Sequence, residues 1–178
     1  MASALWPRVR AKVGIGGVVI GGIIVAAMGF VAASAVSDMS PHIVDTAVGS
    51  RFTCTVLSVY DGDGPINCSE VDGKKQPVSV RLRGIEARDA DNTCRRADLC
   101  PSKSGEEAKA MLTSLAVGRL ECVSFGPSYN RVDASCRSAT GVDLSCEMIK
   151  SGNAMRWPEY DPEERLVHCK PAAGGKKT

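Results

Sequence analysis

The chain has 178 residues, 44% of them hydrophobic and 4% aromatic, which suits one ordinary domain with an appendage and argues against a two-domain enzyme. Its 22 lysines and arginines almost balance 20 aspartates and glutamates, which excludes a protein that holds nucleic acid by bulk positive charge. The two histidines, His42 and His168, lie far apart in the sequence, so we expect neither histidine-based catalysis nor a histidine-rich metal site.

An apolar segment near the N-terminus predicts export. Residues 13–37 are 25 consecutive uncharged residues, a length that can cross a bilayer. Three basic residues between positions 8 and 12 precede the segment, so the positive-inside rule leaves the N-terminus in the cytoplasm and places the rest of the chain outside. We expect a membrane anchor here.

A cleaved signal peptide is the alternative interpretation of residues 1–37. Ala33-Ser34-Ala35 has the small-residue form of a cleavage site, and cleavage after Ala35 would make the protein secreted. Gly17 and Gly21 form a G-x-x-x-G spacing that permits a weak helix dimer, although a lone anchor is the simpler expectation. Both interpretations export the domain, to the periplasm or the extracellular space.

The cysteines support export independently. All eight follow the apolar segment, the count is even, and there is no C-x-x-C motif, so disulfides explain them better than a zinc or redox site. Eight cysteines allow 105 pairings, and the sequence by itself does not select one.

Alternating and turn-flanked segments predict a β-rich α+β fold. Three strands, Phe52–Tyr60, Ile66–Val71 and Val78–Ile85, form a meander. In the third strand, apolar residues alternate with Ser79, Arg81 and Arg83, so one face of that strand is polar.

The remaining elements predict a small barrel with helices on one side. A capping box of Ser104 and Glu107 starts a helix, two strands and a second helix follow, and Asp161-Pro162-Glu163-Glu164 predicts a third short helix. The predicted bounds of the later strands and of the second helix are Leu120–Phe125, Val132–Cys136 and Asp143–Ser151.

This layout suggests four disulfides. The first two strands bring Cys54 near Cys68, and the last two strands bring Cys122 near Cys136. A polar loop contains both Cys94 and Cys100, and Cys146 on the second helix could reach Cys169. The predicted pairs are Cys54–Cys68, Cys122–Cys136, Cys94–Cys100 and Cys146–Cys169.

Acidic and arginine side chains follow the turns and strand ends. Asp63 lies in the turn after the first strand, Arg81 on the third, Glu86 and Asp89 after its end, and Arg131 in the later hairpin. Carboxylates can converge on Ca²⁺, and arginines bind phosphate oxygens in a bidentate fork. Together they predict a phosphodiester-hydrolysing site.

Four motifs in this order resemble the staphylococcal nuclease (thermonuclease) family. They are Val59-Tyr60-Asp61-Gly62-Asp63, Val80-Arg81-Leu82-Arg83-Gly84-Ile85-Glu86-Ala87-Arg88-Asp89, Tyr129-Asn130-Arg131 and Ile149-Lys150-Ser151-Gly152-Asn153-Ala154. The resemblance covers roughly residues 52–157 and implies a five-stranded OB-fold barrel with three helices that cleaves DNA and RNA with Ca²⁺.

The resemblance also implies roles for single residues. Asp63 and Glu86 would ligate Ca²⁺ with the backbone carbonyl of Ala87, while Arg81 and Arg131 would hold the phosphate.

Two further positions follow from the same resemblance. Asp89 stands where the family usually has a glutamate that acts on the attacking water, and Tyr129 where a residue often lines the substrate pocket.

The acidic motif departs from the family pattern. Glu86-Ala87-Arg88-Asp89 replaces the usual Asp-Ala/Thr-Pro-Glu, so one ligand is a methylene longer and the expected base a methylene shorter. Arg88 removes a proline and places a cation beside that base, which should weaken it.

Other interpretations stay open at this stage. The chain is predicted to be an exported Ca²⁺-dependent nuclease, or a catalytically weak or inactive OB-fold module that binds single-stranded nucleic acid or another anion, or a disulfide-stapled envelope domain. Taken alone, Arg83 reads as a solvated cation and Arg131 as a partner of Asp133. The predicted regions are an anchor or signal at 1–37, a linker at 38–51, the domain at 52–169 and a flexible tail at 170–178; no protein partner is predicted.

Overall fold

The computed structural model of the chain describes residues 41–171. The predicted anchor or signal peptide at 1–37, with Gly17 and Gly21, lies outside the described residues, as does most of the predicted tail. Within residues 41–171, no helix has the length and apolarity needed to cross a membrane.

Five strands close into a barrel. In their order around the barrel they are β1 Arg51–Val59, β2 Ile66–Val71, β3 Pro77–Leu82, β6 Arg131–Arg137 and β5 Arg119–Ser128, and β5 pairs with β1. Strands β3 and β6 run parallel, and every other neighbouring pair in the barrel is antiparallel. This mixed barrel is consistent with an OB-like fold and confirms the predicted five-stranded barrel. Two short strands lie outside the barrel, β4 Ile85–Ala87 and β7 Ala154–Arg156.

The barrel interior is filled by the apolar side chains that alternate along the strands. On β3, Val78, Val80 and Leu82 are buried, while Ser79 and Arg81 between them point to the other face. The alternation predicted from the sequence is therefore present, and it fixes on which face of β3 the arginine lies.

The predicted third strand is broken by a bend at Gly84. The chain turns there with φ +79°, and a Cβ at this position would meet Leu166 Cδ1 at 2.8 Å. After the bend, β4 leaves the barrel and pairs with β7, with Glu86 opposite Met155. The bend carries Glu86 away from the barrel sheet while keeping it next to β3.

Two α-helices pack against the barrel: α1 Gly105–Leu115 and α2 Leu144–Lys150. The Ser104 hydroxyl accepts a hydrogen bond from the Glu107 N–H at 3.2 Å, and the Glu107 carboxylate accepts one from the Ser104 N–H at 2.9 Å. The predicted capping box is present, because each side chain satisfies an N–H that the first helical turn leaves free.

The predicted third helix at Asp161 is wrong. Residues 162–168 form turns, and a single 3-10 turn at Pro158–Tyr160 precedes them. The Asp161 carboxylate accepts hydrogen bonds from the N–H groups of Arg165 and Leu166, four and five residues on, instead of those two or three residues on that a helix cap would use. Glu164 has φ +55°, which ends any helix there.

The four disulfides have the predicted pairing. They join Cys54–Cys68, Cys94–Cys100, Cys122–Cys136 and Cys146–Cys169, and no cysteine among residues 41–171 is free. Disulfides of this number form and persist in oxidising compartments, which indicates a location outside the cytoplasm.

The segment 42–50, at the end of the predicted linker, is packed on the barrel. The Val44 N–H donates to the Val71 carbonyl at 2.8 Å, and Val44 itself is buried in the core. The Gly49 N–H donates to the Ser124 carbonyl at 2.8 Å. These contacts hold the segment against the end of β2 and against β5.

We expect Ser104→Ala to lower the free energy of unfolding by about 1 kcal/mol, because it removes the oxygen that caps α1. Urea denaturation followed by circular dichroism measures the change. Thr113→Ala on the exposed face of the same helix is the matched control, and equal losses for both variants would contradict the capping role.

Candidate functional site

The turn after β1 buries two aspartates at the edge of the barrel. Asp61 and Asp63 are both buried, and a Cβ on the intervening Gly62 would meet Ala108 Cβ at 2.5 Å and Ala87 Cβ at 2.8 Å. Only glycine permits this close packing against α1 and β4. The turn therefore packs against Ala87 at the end of β4.

Arg81 lies between two buried carboxylates. Its Nη1 is 2.6 Å from Asp63 Oδ1, and its Nη2 is 3.4 Å from Glu86 Oε2. The Asp63 and Glu86 side chains are only 3% and 2% exposed, and that of Arg81 is 13% exposed. One guanidinium thus links the β1–β2 turn to β4 across β3.

Backbone N–H groups complete the hydrogen bonding of both acids. Asp63 Oδ2 accepts from the Ala87 N–H at 3.2 Å, and Glu86 Oε1 accepts from the N–H groups of Arg95 at 2.6 Å and Arg96 at 3.4 Å. The Ala87 N–H therefore points to the acid cluster, while the role predicted for the Ala87 carbonyl stays a prediction.

The acid cluster gathers three acidic side chains near one guanidinium. Asp63 and Glu86 share the guanidinium of Arg81, and Asp61 lies next to Asp63, whose N–H is 3.4 Å from Asp61 Oδ1. Burial raises the pKa of Asp61 and raises that of Asp63 well above its usual range, because low polarity disfavours the charged form. The neighbouring carboxylates repel each other and add to the shift of Asp63, against the attraction of Arg81. The cluster is one that an added cation would stabilise.

The parallel pairing of β3 with β6 brings Arg131 to the side of the barrel on which Arg81 lies. Arg81 is opposite Asp133, and Arg131 is two residues before Asp133 on the same face of β6. Arg81, Arg131 and Tyr129 line one small cavity of about 40 Å³. Arg131 and the Asp63–Arg81 pair are therefore on one side of the barrel.

Arg131 makes no ion pair within residues 41–171. Its Nε is buried and has no hydrogen-bond acceptor in that part of the chain. The ordinary interpretation, a salt bridge from Arg131 to Asp133, is wrong because Asp133 pairs with Arg83 at 2.6 Å. Tyr129 is at the tip of the β5–β6 turn with φ +58° and is 86% exposed.

A groove of about 910 Å³ adjoins this cavity. It shares Tyr129 and Arg131 with the cavity and continues over β2 and β3. Polar and aromatic side chains line it, among them Tyr60, Asn67, Lys74, Gln76, Ser79 and Asn130. The groove and the cavity therefore meet at Tyr129 and Arg131.

Asp89 is half-buried after β4, and its negative charge adds to the burial that raises the pKa of Asp61. Its side chain makes no hydrogen bond or ion pair within residues 41–171. The neighbouring Arg88 is directed elsewhere: its guanidinium donates to the carbonyls of Pro101, at 2.9 Å, and Asn92. Arg88 therefore pins the following loop, and its charge is not held against Asp89 by an ion pair.

Arg83 is not the solvated cation that its strand position suggests. It is half-buried, pairs with Asp133, and stacks over the Phe125 ring at 4.2 Å. Arg165 lies over the same ring at 5.1 Å and donates to Ser135 Oγ at 2.8 Å. This cluster joins β3, β5 and β6 to the C-terminal turns and has a structural role.

A separate group of side chains of metal-binding type lies between α2 and the C-terminal turns. Within residues 41–171, Cys146, His168 and Cys169 have ligand atoms within 4.8 Å of one another. The two sulfurs form a disulfide, so neither is the thiolate that a metal needs. Within residues 41–171, the carboxylate oxygens of Asp61, Asp63 and Glu86 do not all come that close to one another.

Three features of the site are not among the residues predicted from sequence. Asp61 joins the acid cluster, and Arg95 lines the cavity. Trp157 and Tyr160 also line it, with ring centroids 4.8 Å apart. The Asp-Gly-Asp spacing was a signal for Asp61, but Arg95 lies in a polar loop that carries no periodicity.

No protein-family model matches the sequence, and no curated protein is significantly similar to it.

We expect Asp61→Asn to raise the stability of the protein above about pH 4, and by more as the pH approaches 7. The fold raises the pKa of Asp61, so as the pH rises the unfolded chain loses this proton at a lower pH than the folded chain does. The free energy of unfolding therefore falls between the usual aspartate pKa and the raised pKa of the folded state. Asparagine removes this penalty. Urea denaturation between pH 3 and 7, with chelator present, measures the difference from the unmodified chain.

Asp45→Asn is the control of opposite sign. The Ser50 hydroxyl and the Ala47 N–H lower the pKa of Asp45, so its loss should destabilise the protein near neutral pH and have less effect as the pH falls. If Asp61→Asn followed the same trend as this control, the account of the buried acid cluster would be wrong.

Proposed function

We propose that the chain is an exported, Ca²⁺-dependent nuclease that hydrolyses phosphodiester bonds of DNA or RNA with little sequence preference, similar to the staphylococcal nuclease family. The observation that carries the proposal is that Arg81, which is paired with the buried carboxylates of Asp63 and Glu86, lines one cavity together with Arg131, which has no ion pair in the described part of the chain. Carboxylates for a hard cation and arginines for a phosphate are the parts that this reaction needs.

Asp63 and Glu86 are the residues that would hold Ca²⁺. Their oxygens are the ligands that this ion prefers, and a bound divalent cation would favour the ionised forms of these acids and of the neighbouring Asp61. Arg81 lies between the two carboxylates, so calcium binding requires its guanidinium to turn away from at least one of them. When bound, the ion would polarise the phosphate and help to deprotonate water.

Arg81 and Arg131 would bind the phosphate oxygens. Arg131 makes no ion pair with the described residues, and in that same part Arg81 uses three of its N–H donors on Asp63, Ile85 and Glu86. A guanidinium that turns from Asp63 toward the substrate keeps a fork for two oxygens of the phosphate. Both cations would neutralise the charge that grows on the phosphate as water attacks.

Asp89 would accept the proton of the attacking water. Its carboxylate has no partner within residues 41–171, it lies by Asp61, and the cation next to it in sequence is engaged by the Pro101 and Asn92 carbonyls. Aspartate is one methylene shorter than glutamate, so its carboxylate lies farther from the attacking water. We expect this to lower the rate of hydrolysis, because a displacement of a catalytic group by about 1 Å can cost on the order of 100-fold in rate.

The groove next to the cavity supports a polymeric substrate. A nucleic acid strand bound at Arg131 continues along Tyr60, Asn67 and Lys74, which present stacking, hydrogen-bonding and basic groups. The predicted N-terminal anchor or signal peptide would place this activity at the outer side of the membrane or in the secreted fluid.

A binding module without catalytic activity is the second candidate. The observation in its favour is that Arg81 already neutralises Asp63 and Glu86, as a structural ion pair does. In that case the same cavity and groove bind single-stranded nucleic acid or another anion, and Ca²⁺ has no site.

The full-length chain, purified in mild detergent with its disulfides intact, should cleave heat-denatured DNA in Ca²⁺ and not in chelator. Arg131→Ala should lower the rate about 100-fold or more, because one of two groups that stabilise the transition state is lost. Arg81→Lys should have a similar effect while leaving a cation beside the acids.

Arg119→Ala is the matched control, since Arg119 is exposed on β5 and lies outside the cavity. If strand binding persists in Ca²⁺ but no cleavage occurs, the nuclease proposal fails and the binding module is supported.

Calcium should raise the melting temperature of the chain near pH 7, because it binds the folded state only. Asp63→Asn and Glu86→Gln should abolish this shift, whereas Glu106→Gln on the exposed side of α1 should retain it. Differential scanning fluorimetry with added CaCl₂ measures the effect. A calcium shift that survives both site variants would place the ion elsewhere.

A further inference from the structure

A short disulfide-closed loop lies over the acid cluster. Residues 94–100 are joined at their ends by the Cys94–Cys100 bond, and a 3-10 turn at Ala97–Leu99 fills the loop. The resemblance to a nuclease family assigns no role to this loop. Its position is set by contacts with two separate parts of the fold, β4 with its end and the segment after β7.

The first contact is with Glu86. The N–H groups of Arg95 and Arg96 both donate to Glu86 Oε1, at 2.6 and 3.4 Å. Hydrogen bonds to a charged acceptor are about twice as strong as neutral ones, and this acceptor is buried on β4. The backbone of residue 95 is therefore fixed relative to the site.

The other contacts hold the rest of the loop. The Arg96 guanidinium binds Asp98 at 2.8 and 2.7 Å and Glu159 at 2.6 Å, and it lies 6.0 Å from the Trp157 ring centroid. Following the loop, the Pro101 carbonyl accepts from Arg88 Nε at 2.9 Å. The loop is thus tied to the segment after β7 and to the end of β4.

The side chain of Arg95 faces the cavity. It lines the cavity together with Arg81 and Arg131, and its guanidinium carbon is 6.0 Å from the centroid of the Tyr129 ring. Within residues 41–171 it has no ion pair. Arg95 is exposed, as a loop arginine ordinarily is, but its backbone N–H is bound to Glu86 and it lines the cavity with two other arginines.

We propose that Arg95 is a third anion-binding residue of this site and that the Cys94–Cys100 loop positions it to contact a phosphate of the bound strand. The inference rests on the proposed function, since it names a further residue that binds the same substrate. The guanidinium of Arg95 lies by the Tyr129 ring, and Arg131 lines the same cavity, so a phosphate that enters can contact both arginines.

The binding of fluorescein-labelled decathymidylate tests the role of Arg95. Fluorescence anisotropy is measured with the full-length chain in mild detergent and chelator, so that no cleavage occurs, from 20 to 200 mM salt. Arg95→Ala should weaken binding about tenfold, and the slope of log affinity against log salt should fall by about 0.7, the value for one phosphate contact on a single strand.

Arg119→Ala removes the same charge outside the cavity and should change neither value. The inference would be overturned if the Arg95→Ala variant bound decathymidylate with the affinity of the unmodified chain. It would also be overturned if the unmodified chain did not bind the oligonucleotide at 20 mM salt. If Arg131→Ala weakens binding and Arg95→Ala does not, only this inference fails. If Arg81→Lys, Arg131→Ala and Arg95→Ala all bind normally, the proposed function fails too.

A double-mutant cycle tests the role of the loop. Cys94→Ser with Cys100→Ser should weaken binding as much as Arg95→Ala, and adding Arg95→Ala to that pair should weaken it no further. Near-UV circular dichroism and the three remaining disulfides establish that the barrel is intact. Full affinity in the open-loop variant, or additive losses in the combined variant, would overturn the positioning role of the disulfide.

Discussion

The bridge that Arg81 makes between Asp63 and Glu86 is the interaction on which the rest of the site depends. It joins three elements that are separate in sequence: the β1–β2 turn, β3 and β4. Removing one partner of such a buried pair leaves an uncompensated charge, which is strongly destabilising. The same bridge fixes the positions of two buried carboxylates relative to the cavity that Arg81 lines. The fold positions this bridge through two close backbone approaches, at Gly62 and at Gly84.

Much of the barrel was predictable because its signals are local. Alternation along β3 predicted its buried face, the capping box predicted the start of α1, and the hairpins predicted the disulfides between strands. The helix predicted at Asp161 failed although its local signals were favourable. There, Arg156 and two more distant N–H groups take the oxygens that a helix cap would use.

The candidate site was predictable only as a set of residues. The turn aspartate, the β3 arginine and the hairpin arginine follow from motifs, but the parallel register of β3 and β6 that brings Arg131 beside Arg81 is a long-range property. Arg83 and Arg95 show the limit more clearly. Both are unremarkable arginines in sequence, yet one is stacked on Phe125 as part of the framework and the other faces the cavity. Tertiary contacts, not local pattern, separate these two outcomes.

The order of the disulfides along the chain has a consequence for how the protein matures. The four pairs are 54–68, 94–100, 122–136 and 146–169, so each bond closes before the first cysteine of the next pair occurs. A polypeptide threaded through a membrane from its N-terminal side exposes one complete pair at a time. If each cysteine pairs with the next one to leave the membrane, the native disulfides form directly. No wrongly paired disulfide then has to be opened before the next pair forms.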